Sequence, residues 1–494
     1  MADGTLGGID DAFARSTARR LVRPRRSAAQ ARAQADPDTD IEPARETEIE
    51  EEGAEGLSRI IYGSLILQFL SAAILFIPGT QPIRNYVRAT PYLAALLPLA
   101  ITFMKSRSGW RPAGATLIVG ALMLLAMNLL HATTQVSAGI AQCVFQLAIA
   151  APLFWMPKAV RTARQFERVL ILVFLMNSVS AGLGILQVYY PDRFLPPQFS
   201  AQLRDDYVGS LTYIGSDGYV ITRPPGLSDV PGGAAVAGGI VALLGLGLGF
   251  RPARSRQSLV WVAAVPVGLA AIYLTQVRSV FLMVIVAAGV LALLALRRGN
   301  LARASSLVAI GGGIVVASFL WASSIGGNTV NDRFLSMRSQ GAVGVFQENR
   351  GGFLNETLGE LLNKYPMGAG VGRWGMMNTS FADQSDFASA PIHVEIQLTG
   401  WLLDGGVLMW FLYGGAILQS IFAAFTLSRS PDPMLADLAF MAVGLQVFIA
   451  GLTLAGPTFN TQMGILFWTC AAGLRGAALS IKRDAEPALF QGPF

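Results

Sequence analysis

Long apolar runs separated by shorter polar segments make up most of this 494-residue chain. Runs of about 20 residues match the length of helix that crosses a hydrocarbon core of roughly 30 Å. The first run is "IIYGSLILQFLSAAILFI", from residue 60, and the last is "GILFWTCAAGLRGAAL", from residue 464. We count twelve runs, including the short "PYLAALLPLAITFM" at residues 91–104. The pattern predicts an all-α polytopic membrane protein with about twelve transmembrane helices.

The composition supports this class. Hydrophobic residues make up 53% of the chain and charged residues 14%, and the mean hydropathy is +0.49. These values exclude an ordinary soluble domain. Both cysteines, Cys143 and Cys470, fall inside apolar runs. The sequence therefore supports neither a disulfide framework nor a cysteine metal site.

Basic residues recur in alternate inter-helix segments, and the formal net charge is +6. The basic segments are "KSRSGWR", "KAVRTARQFER", "RPARSR", "RRGNLAR" and "RGAALSIKR". The positive-inside rule predicts that they are cytoplasmic. With twelve spans both termini are then cytoplasmic, and outward loops lie near 78–90, 131–137, 189–230, 275–279, 323–392 and 456–461. Because the membrane accounts for the charge, we expect no nucleic-acid partner.

The ends of the chain differ from its apolar middle. An arginine-rich block from Arg15 to Arg32 precedes an acidic block from Asp36 to Glu55. We expect residues 1–57 to form a disordered cytoplasmic tail, because such a segment buries too little apolar surface to fold. It has no apolar region beside its basic part, unlike a secretory signal peptide. The transmembrane domain is then 58–482, and 483–494 is a second cytoplasmic tail.

Two outward loops, 189–230 and 323–392, are long enough to carry chemistry. Both are polar, rich in glycine and supplied with aromatic residues. Aromatic faces stack on sugar rings while polar side chains bond their hydroxyl groups, so these loops suit a glycan. An interfacial aromatic belt with exposed turns has the same composition. Composition alone does not separate the two interpretations.

Arginines in outward segments oppose the positive-inside bias and lie close to apolar helix ends. Arg278, in "LTQVRSVF", is predicted at a tight outer turn together with Gln276, and Arg223 lies in "ITRPPG". A guanidinium at a helix end snorkels, pairs with an acid or faces a water-filled cavity. Arg278 is therefore a candidate site residue, with a structural pair to Asp217 or Asp229 as the alternative. Arg223 has a rigid "RPPG" turn as its alternative role.

One of the chain's two histidines stands where the second long loop meets an apolar run. His393 is followed by Gln397, Gly400 and Asp404 at helical spacing, which predicts a polar stripe facing the bundle or a cavity. Glu395 orients the imidazole only if the chain is extended or turning there. The other histidine, His131, has no charged residue near it in the sequence and is interpreted as an interfacial residue.

Three stretches resemble the O-antigen ligase and O-antigen polymerase superfamily of bacterial membrane glycosyltransferases. They are "ITRPPGLSDVPGGAAVAGGIVALL" (221–244), "LTQVRSVFLMVIV" (274–286) and "HVEIQLTGWLLDGGVLMWFLY" (393–413), and "ILQVYYPDRF" (185–194) adds to them. The large outer loop between the ninth and tenth spans is also similar. The resemblance covers nearly all of the chain after residue 58.

This resemblance implies a GT-C-like fold in the bacterial inner membrane. It implies glycan transfer from an undecaprenyl pyrophosphate carrier to an acceptor at the periplasmic face. Arg278 and Arg223 would stabilise the departing pyrophosphate as guanidinium forks. His393 would be the general base, since an imidazole titrates near neutrality. The catalytic residues expected are His393 and Arg278, and the substrate-binding residues expected are Arg223, Gln276, Glu395 and Gln397.

Two local sequence features bear on whether the chain is a polymerase or a ligase. The family often has Asn directly after its histidine, whereas this chain has Val394. The stretch "RPPGLSDVPGG" is more similar to the corresponding stretch of exopolysaccharide polymerases than to that of ligases. We therefore predict a polymerase, with a ligase acting on lipid A core as the alternative. The expected partners are lipid-linked donor and acceptor glycans, membrane lipids, and a chain-length regulator or export machinery. No metal or other cofactor is expected.

Two other classes compete with this prediction. A metal-dependent oligosaccharyltransferase needs converging carboxylates, for which Asp205 and Asp206, or Asp383 and Asp386, are candidates away from the histidine. A polysaccharide or lipid-linked glycan transporter is expected to carry internal repeats and charged or broken helices near mid-bilayer. The sequence shows no repeat, and its ionisable residues gather at helix ends.

Overall fold

The computed structural model describes residues 41–75, 77, 79–105, 112–195, 212–228, 232–251, 256–385 and 390–490. The chain divides into two units, Met1–Glu55 and Gly56–Phe494. In the first unit the described residues begin at Ile41 and are helical. Most of the predicted tail at 1–57 therefore lies outside the described residues, and its last part is helix.

Helices form almost all of the regular structure in the first half of the described chain, and one antiparallel hairpin interrupts them. The elements are α1 (Ile41–Ile74), α2 (Arg84–Lys105), α3 (Ala115–Met127), α4 (Val136–Ala150), α5 (Pro152–Ala159), α6 (Ala163–Tyr189), α7 (Pro191–Phe194), β1 (Thr212–Ile214) and β2 (Val220–Thr222). Tyr213 of β1 is paired with Ile221 of β2. The all-α prediction did not include this hairpin.

The second half is helical throughout its described regular structure. Its helices are α8 (Gly233–Gly249), α9 (Arg256–Thr275), α10 (Arg278–Arg297), α11 (Leu301–Phe346), α12 (Gly352–Glu356), α13 (Leu362–Lys364), α14 (Gly375–Phe381), α15 (Gln397–Met409), α16 (Gly415–Leu427), α17 (Pro433–Gly451) and α18 (Gln462–Phe490). Short π-helical turns occur at Gln347–Gly351, Thr357–Leu361 and Trp410–Gly414. The predicted tail at 483–494 begins inside α18.

Eight helical segments of the described chain are long and apolar enough to cross a membrane. They are Val136–Ala159, Ala163–Tyr189, Ser258–Thr275, Arg278–Arg297, Leu301–Met337, Gln397–Leu427, Pro433–Leu454 and Gln462–Arg483. Shorter apolar helices, Arg59–Ile74, Ala115–Leu130 and Gly233–Gly249, coincide with further predicted spans. The helical, multi-pass membrane class is confirmed, whereas the count of twelve stays a prediction.

Close helix packing at glycines builds the core around α8, whose residues are almost all buried. A Cβ at Gly238 would lie 2.2 Å from the carbonyl oxygen of Gly268 in α9. On a different part of α8, Gly239 lies against the Phe448 ring of α17. Small residues at such crossings let helix backbones approach closely, which favours helix association in lipid.

The predicted outer loop at 323–392 is largely helical. Helix α11 continues into it as far as Phe346, with kinks at Gly327, where φ is 57°, and Gly341, where φ is 71°. A Cβ at Gly327 would lie 2.7 Å from the Cα of Ser216, and the Ser216 N–H donates to the Ile325 carbonyl at 3.2 Å. The turn of the hairpin therefore packs against the first kink.

Candidate functional site

The turn between α9 and α10 carries two of the predicted site residues. Arg278 is the first residue of α10. Gln276 is the one non-glycine residue with positive φ among those described, at 58°, a backbone that costs roughly 1–3 kcal/mol. Its side chain is buried, and its Nε2 has no hydrogen-bond partner within the described chain. The surrounding structure therefore holds a strained residue with an unused donor beside Arg278.

The β-hairpin brings Arg223 to this turn. The Tyr213 hydroxyl of β1 donates to the Leu274 carbonyl at 2.9 Å, one turn before Arg278. Arg223 directly follows β2, whose last residue is Thr222. A Cβ on Gly232, further along this segment, would lie 3.4 Å from the Val277 side chain. Arg223, Gln276 and Arg278 are thus brought into one region.

Helix α11 adds a third arginine after its kink. The Phe334 ring lies 4.8 Å from that of Tyr273 and 5.6 Å from that of Phe281. This packing fixes α11 against α9 and α10. The Arg278 Nη1 donates to the Ser336 hydroxyl at 3.0 Å, and that hydroxyl in turn donates to the Arg333 carbonyl at 2.9 Å. Arg333 was not among the predicted site residues.

We call Arg223, Arg278 and Arg333 the arginine cluster. Burial, together with the positive charge of Arg333, lowers the pKa of the Arg223 guanidinium. The Nε atoms of Arg223 and Arg333 are buried without a hydrogen-bond partner, and neither side chain pairs with a carboxylate among the described residues. Guanidinium groups stay protonated in proteins, so the cluster concentrates positive charge and unused donors. An anion with several oxygen acceptors fits it.

The acids named as alternative partners of Arg278 have different placements. Asp217 accepts a hydrogen bond from the Tyr219 N–H at 3.1 Å inside the hairpin turn. Asp229 lies outside the described residues. The structure therefore gives Asp217 a local role in shaping the hairpin.

His393, Glu395 and Arg350 form a second group, which we call the histidine group. The His393 Nε2 lies 2.9 Å from the Glu395 Oε1, and the Arg350 Nη1 donates to the Glu395 Oε2. Since an ionised carboxylate only accepts hydrogen bonds, Nε2 carries the hydrogen and Nδ1 is left as the basic atom. The His393 side chain is 73% exposed. An exposed imidazole with a fixed tautomer suits proton abstraction.

The chain is extended at His393 and is not helical there. Helix α15 begins at Gln397, after an extended Ile396 with φ −127° and ψ 149°. In an extended chain alternate side chains share a side, so His393 and Glu395 lie together while Val394 packs inward beside Trp374 and Leu403. The predicted helical stripe is therefore wrong for His393, and the condition for Glu395 to orient the imidazole is met.

The remaining members of the stripe face the protein interior, as predicted. Gln397 is fully buried, and its Oε1 accepts from the Phe459 N–H at 2.8 Å. The Asp404 Oδ2 accepts from Gln142 at 2.9 Å, and Gly400 lies against the Trp374 ring. The structure does not bring Gln397 together with the histidine group.

Arg373 holds the segment that precedes His393. Its guanidinium is buried and donates to the Ala390 carbonyl at 2.9 Å and to the Ala369 carbonyl at 3.2 Å. Its own carbonyl accepts from the Ile392 N–H at 2.8 Å. Arg373 thus connects the segment just before His393 to the loop that follows α13.

That loop depends on glycine. Three of its residues, Gly368, Gly370 and Gly372, have positive φ, and so does Gly375 at the start of α14. The turn at His131 packs against it, because the Thr133 hydroxyl donates to the Ala369 carbonyl at 2.6 Å and the Val371 N–H donates to the Thr134 hydroxyl at 3.0 Å. His131 lies 3.0 Å from the Thr133 hydroxyl, so it supports this turn.

The arginine cluster and the histidine group lie at one end of the bundle. The C-terminal end of α17 and the connection that follows it touch the N-terminal parts of two helices. At the end of α17 a Cβ on Gly451 would lie 2.2 Å from the Met283 sulfur of α10. Further along, Phe459 bonds to Gln397, the first residue of α15. Arg278 is the first residue of α10, and His393 lies four residues before the start of α15.

The candidate metal carboxylates are only partly described. Asp383 accepts from the Ser385 hydroxyl at 2.6 Å in a local turn, while Asp205, Asp206 and Asp386 lie outside the described residues. Among the described residues no group of three or more His, Cys, Asp or Glu side chains is placed to hold a metal ion.

Sequence reasoning missed Arg333, Arg350 and Arg373. All three lie in the predicted outward segment 323–392, and the bias that made Arg223 and Arg278 conspicuous applies equally to them. The available signal was therefore present but was used for only two arginines. Comparison of the sequence with protein-family models and with curated proteins gives no match.

Proposed function

We propose that this chain is a membrane glycosyltransferase that polymerises undecaprenyl-pyrophosphate-linked oligosaccharide repeat units at the periplasmic face of the bacterial inner membrane. One observation carries the proposal. At the same end of the bundle, a cluster of guanidinium groups with unused donors accompanies an exposed imidazole whose tautomer is fixed by a carboxylate. A leaving phosphate and a hydroxyl nucleophile require these two functions.

The arginine cluster binds the pyrophosphate of the donor. When the bond between the anomeric carbon and the phosphate oxygen breaks, its electron pair leaves with the pyrophosphate. Planar guanidinium groups such as Arg278 match phosphate oxygens in bidentate geometry and stabilise the added charge. The unused Nε2 of Gln276 supplies a further donor. The protein's preorganised donors lower the barrier because they need no rearrangement as charge develops.

The histidine group activates the acceptor. The hydroxyl oxygen of the acceptor sugar attacks the anomeric carbon, and its proton passes to the Nδ1 of His393. Glu395 accepts the Nε2–H hydrogen bond and stabilises the imidazolium that forms, while Arg350 holds the carboxylate in place. Positioned acid–base catalysis of this kind contributes about 10²- to 10⁴-fold. The acceptor in a polymerase is a second lipid-linked repeat unit.

The membrane orientation in this proposal follows the basic segments. The end that carries both groups faces the periplasm, and both termini are cytoplasmic. Donor and acceptor then reach the site from the outer leaflet. A chain-length regulator or export machinery acts beside it on the growing polymer.

Reconstitution tests the proposal directly. Purified protein in vesicles is supplied with a lipid-linked repeat unit, and the products are separated by size. A ladder of longer lipid-linked chains is expected, with a matching loss of single units. Transfer of the glycan to lipid A core instead would identify a ligase. Movement of intact lipid-linked glycan across the vesicle without a new glycosidic bond would identify a transporter and contradict the proposal.

A further inference from the structure

A second cationic site lies at the other end of α10 from Arg278. The turn between α10 and α11 and the turn between α16 and α17 line a cavity of about 490 Å³. This volume is within the range of roughly 300–1,000 Å³ typical of small-ligand sites. Helix α10 has 20 residues, which separates the cavity from Arg278 by about 30 Å at about 1.5 Å per residue. The cavity is therefore distinct from the arginine cluster.

Positive charge dominates the lining. Its ionisable residues are four arginines and one aspartate, namely Arg297, Arg298, Arg303, Arg429 and Asp437. Arg298 has a structural role, because its Nε donates to the Ser428 carbonyl at 2.5 Å and its Nη1 lies 3.5 Å from the Asp437 Oδ1. Arg298 therefore joins the two turns. The other three arginines supply the positive charge that a ligand in the cavity would meet.

Arg303 is buried in the cavity wall with unused donors. Its side chain is 5% exposed, and its Nη1 lies 2.6 Å from the Asp437 Oδ1. Its Nε and Nη2 have no hydrogen-bond partner among the described residues, and the guanidinium lies 4.1 Å from the centre of the Phe440 ring. Because unsatisfied buried donors of a charged group are costly, an anion bound in the cavity would complete this site.

Two exposed arginines stand at the mouth. The guanidinium groups of Arg297 and Arg429 lie 5.6 and 5.2 Å from the centre of the same Phe425 ring. Cation–π contact restrains each of them while their donors stay accessible. The mouth therefore presents two ordered cations, one from the end of α10 and one from just after α16.

Exposed apolar side chains continue from this mouth along both helices. Leu293 and Leu296 are exposed on α10, and Leu418 and Phe422 are exposed on α16. Acyl chains fit such a surface, whereas a water-soluble phosphate gains nothing from it. We infer that the cavity binds the phosphate headgroup of an anionic diacyl phospholipid, whose acyl chains lie along α10 and α16. Basic pockets at the ends of membrane helices recognise such headgroups by charge.

Lipid binding to purified full-length protein tests the inference. Delipidated protein in detergent is titrated with dioleoylphosphatidylglycerol or with zwitterionic dioleoylphosphatidylcholine, and bound lipid is counted by native mass spectrometry. The double variant R297Q/R429Q removes both cations at the mouth. Since both side chains are exposed, it should fold. The single variant R303K keeps a charge beside Asp437 but removes guanidinium donors.

The control is R164Q/R168Q, which makes the same charge change outside the cavity. Arg164 and Arg168 are exposed near the start of α6. The far end of α6 carries Tyr189, whose hydroxyl accepts from Trp321, close to the Gly327 kink at the arginine-cluster end. The two control residues therefore lie at the same end of the bundle as the cavity.

Unmodified protein should bind the anionic lipid at least about tenfold more tightly than the zwitterionic one. R297Q/R429Q should weaken anionic-lipid binding by roughly thirtyfold, which is about fivefold per arginine. R303K should weaken it in the same direction, and the control should change it less than about twofold. Equal losses in R297Q/R429Q and the control would overturn the inference. So would displacement of bound lipid by an equal concentration of soluble glycerophosphoglycerol, which would identify a free-phosphate site.

Discussion

The Nε2 of His393 lies 2.9 Å from the Oε1 of Glu395, two residues later on an extended segment. This contact depends on the extended backbone, because residues two apart point in different directions on a helix. The same extended backbone turns the Val394 side chain inward, where it packs beside Trp374. The imidazole is thus held by Glu395 and not by its immediate neighbour Val394.

His393→Gln separates a general base from a structural histidine. Gln keeps a similar reach and hydrogen-bonding capacity but accepts no proton at neutral pH. We expect polymer formation to fall by roughly 100- to 10,000-fold, with single repeat units accumulating on the carrier, and His393→Ala should fail to a similar extent. The measurement is polymer yield and length in reconstituted vesicles. Normal polymer from stably expressed His393→Gln protein would remove the base assignment.

Glu395→Gln tests the orienting carboxylate. The amide keeps the shape but loses the charge that stabilises an imidazolium and pairs with Arg350. The initial rate of polymerisation should fall at least about tenfold, in the direction of the roughly 10⁴-fold loss known when a catalytic histidine loses its carboxylate partner. Glu360→Gln is the matched control, since Glu360 is exposed and also lies between α11 and α15. Equal rates for the two variants would contradict the orienting role.

Features that depend on local pattern were predictable from the sequence. Apolar runs predicted the membrane helices, and the inward face of α15 followed from the spacing of Gln397, Gly400 and Asp404. The helix start was not predictable in this way. The expectation extended the helical spacing back to His393, whereas Arg373 and Val394 hold that segment extended through contacts with the glycine-rich loop.

Residues that meet across long sequence separations were not predictable. Arg350 and Glu395 are 45 residues apart, and Arg223 meets Arg333 only because a hairpin docks at the Gly327 kink. Hydropathy identified where membrane helices occur but gave no partner for any of these side chains. The kinked helical segment through 323–346 was also not predicted, because its polar residues are typical of a loop.

Arg278→Lys tests whether guanidinium geometry matters at the arginine cluster. Lysine keeps the charge but loses the planar fork and the geometry that reaches Ser336. Transition-state stabilisation should fall by about 2–4 kcal/mol, measured as kcat/KM for the lipid-linked repeat unit, while expression and detergent stability stay nearly constant. Arg164→Lys is the control, because Arg164 is an exposed arginine near the start of α6, away from the arginine cluster. Full activity in Arg278→Lys would favour a simple charge effect.

Gly372→Ala tests the loop that supports Arg373. Gly372 has φ of 77°, and a Cβ there would lie 2.6 Å from the backbone of Ala138. The strained backbone alone should cost roughly 1–3 kcal/mol, seen as a lower thermal unfolding midpoint in detergent. Gly289→Ala is the control, since Gly289 lies within α10 with open space around it. That control should be neutral or stabilising by up to about 1 kcal/mol, and equal midpoints for both variants would show that the loop is not constrained as described.

The orientation of the bundle decides whether the arginine cluster can meet a periplasmic substrate. The segment Leu301–Met337 is apolar enough to span the membrane, so residues 300 and 345 should lie on opposite sides. The basic segment "RRGNLAR" (297–303) precedes this span, and the positive-inside rule makes it cytoplasmic. An alkaline phosphatase fusion after residue 345 should therefore be active and one after residue 300 inactive, with a fluorescent protein giving the reverse pattern. The reverse fusion pattern would place the arginine cluster and His393 on the cytoplasmic side. Cleavage of the 323–392 segment by a protease added on the cytoplasmic side would do the same. Either result would contradict a periplasmic polymerase.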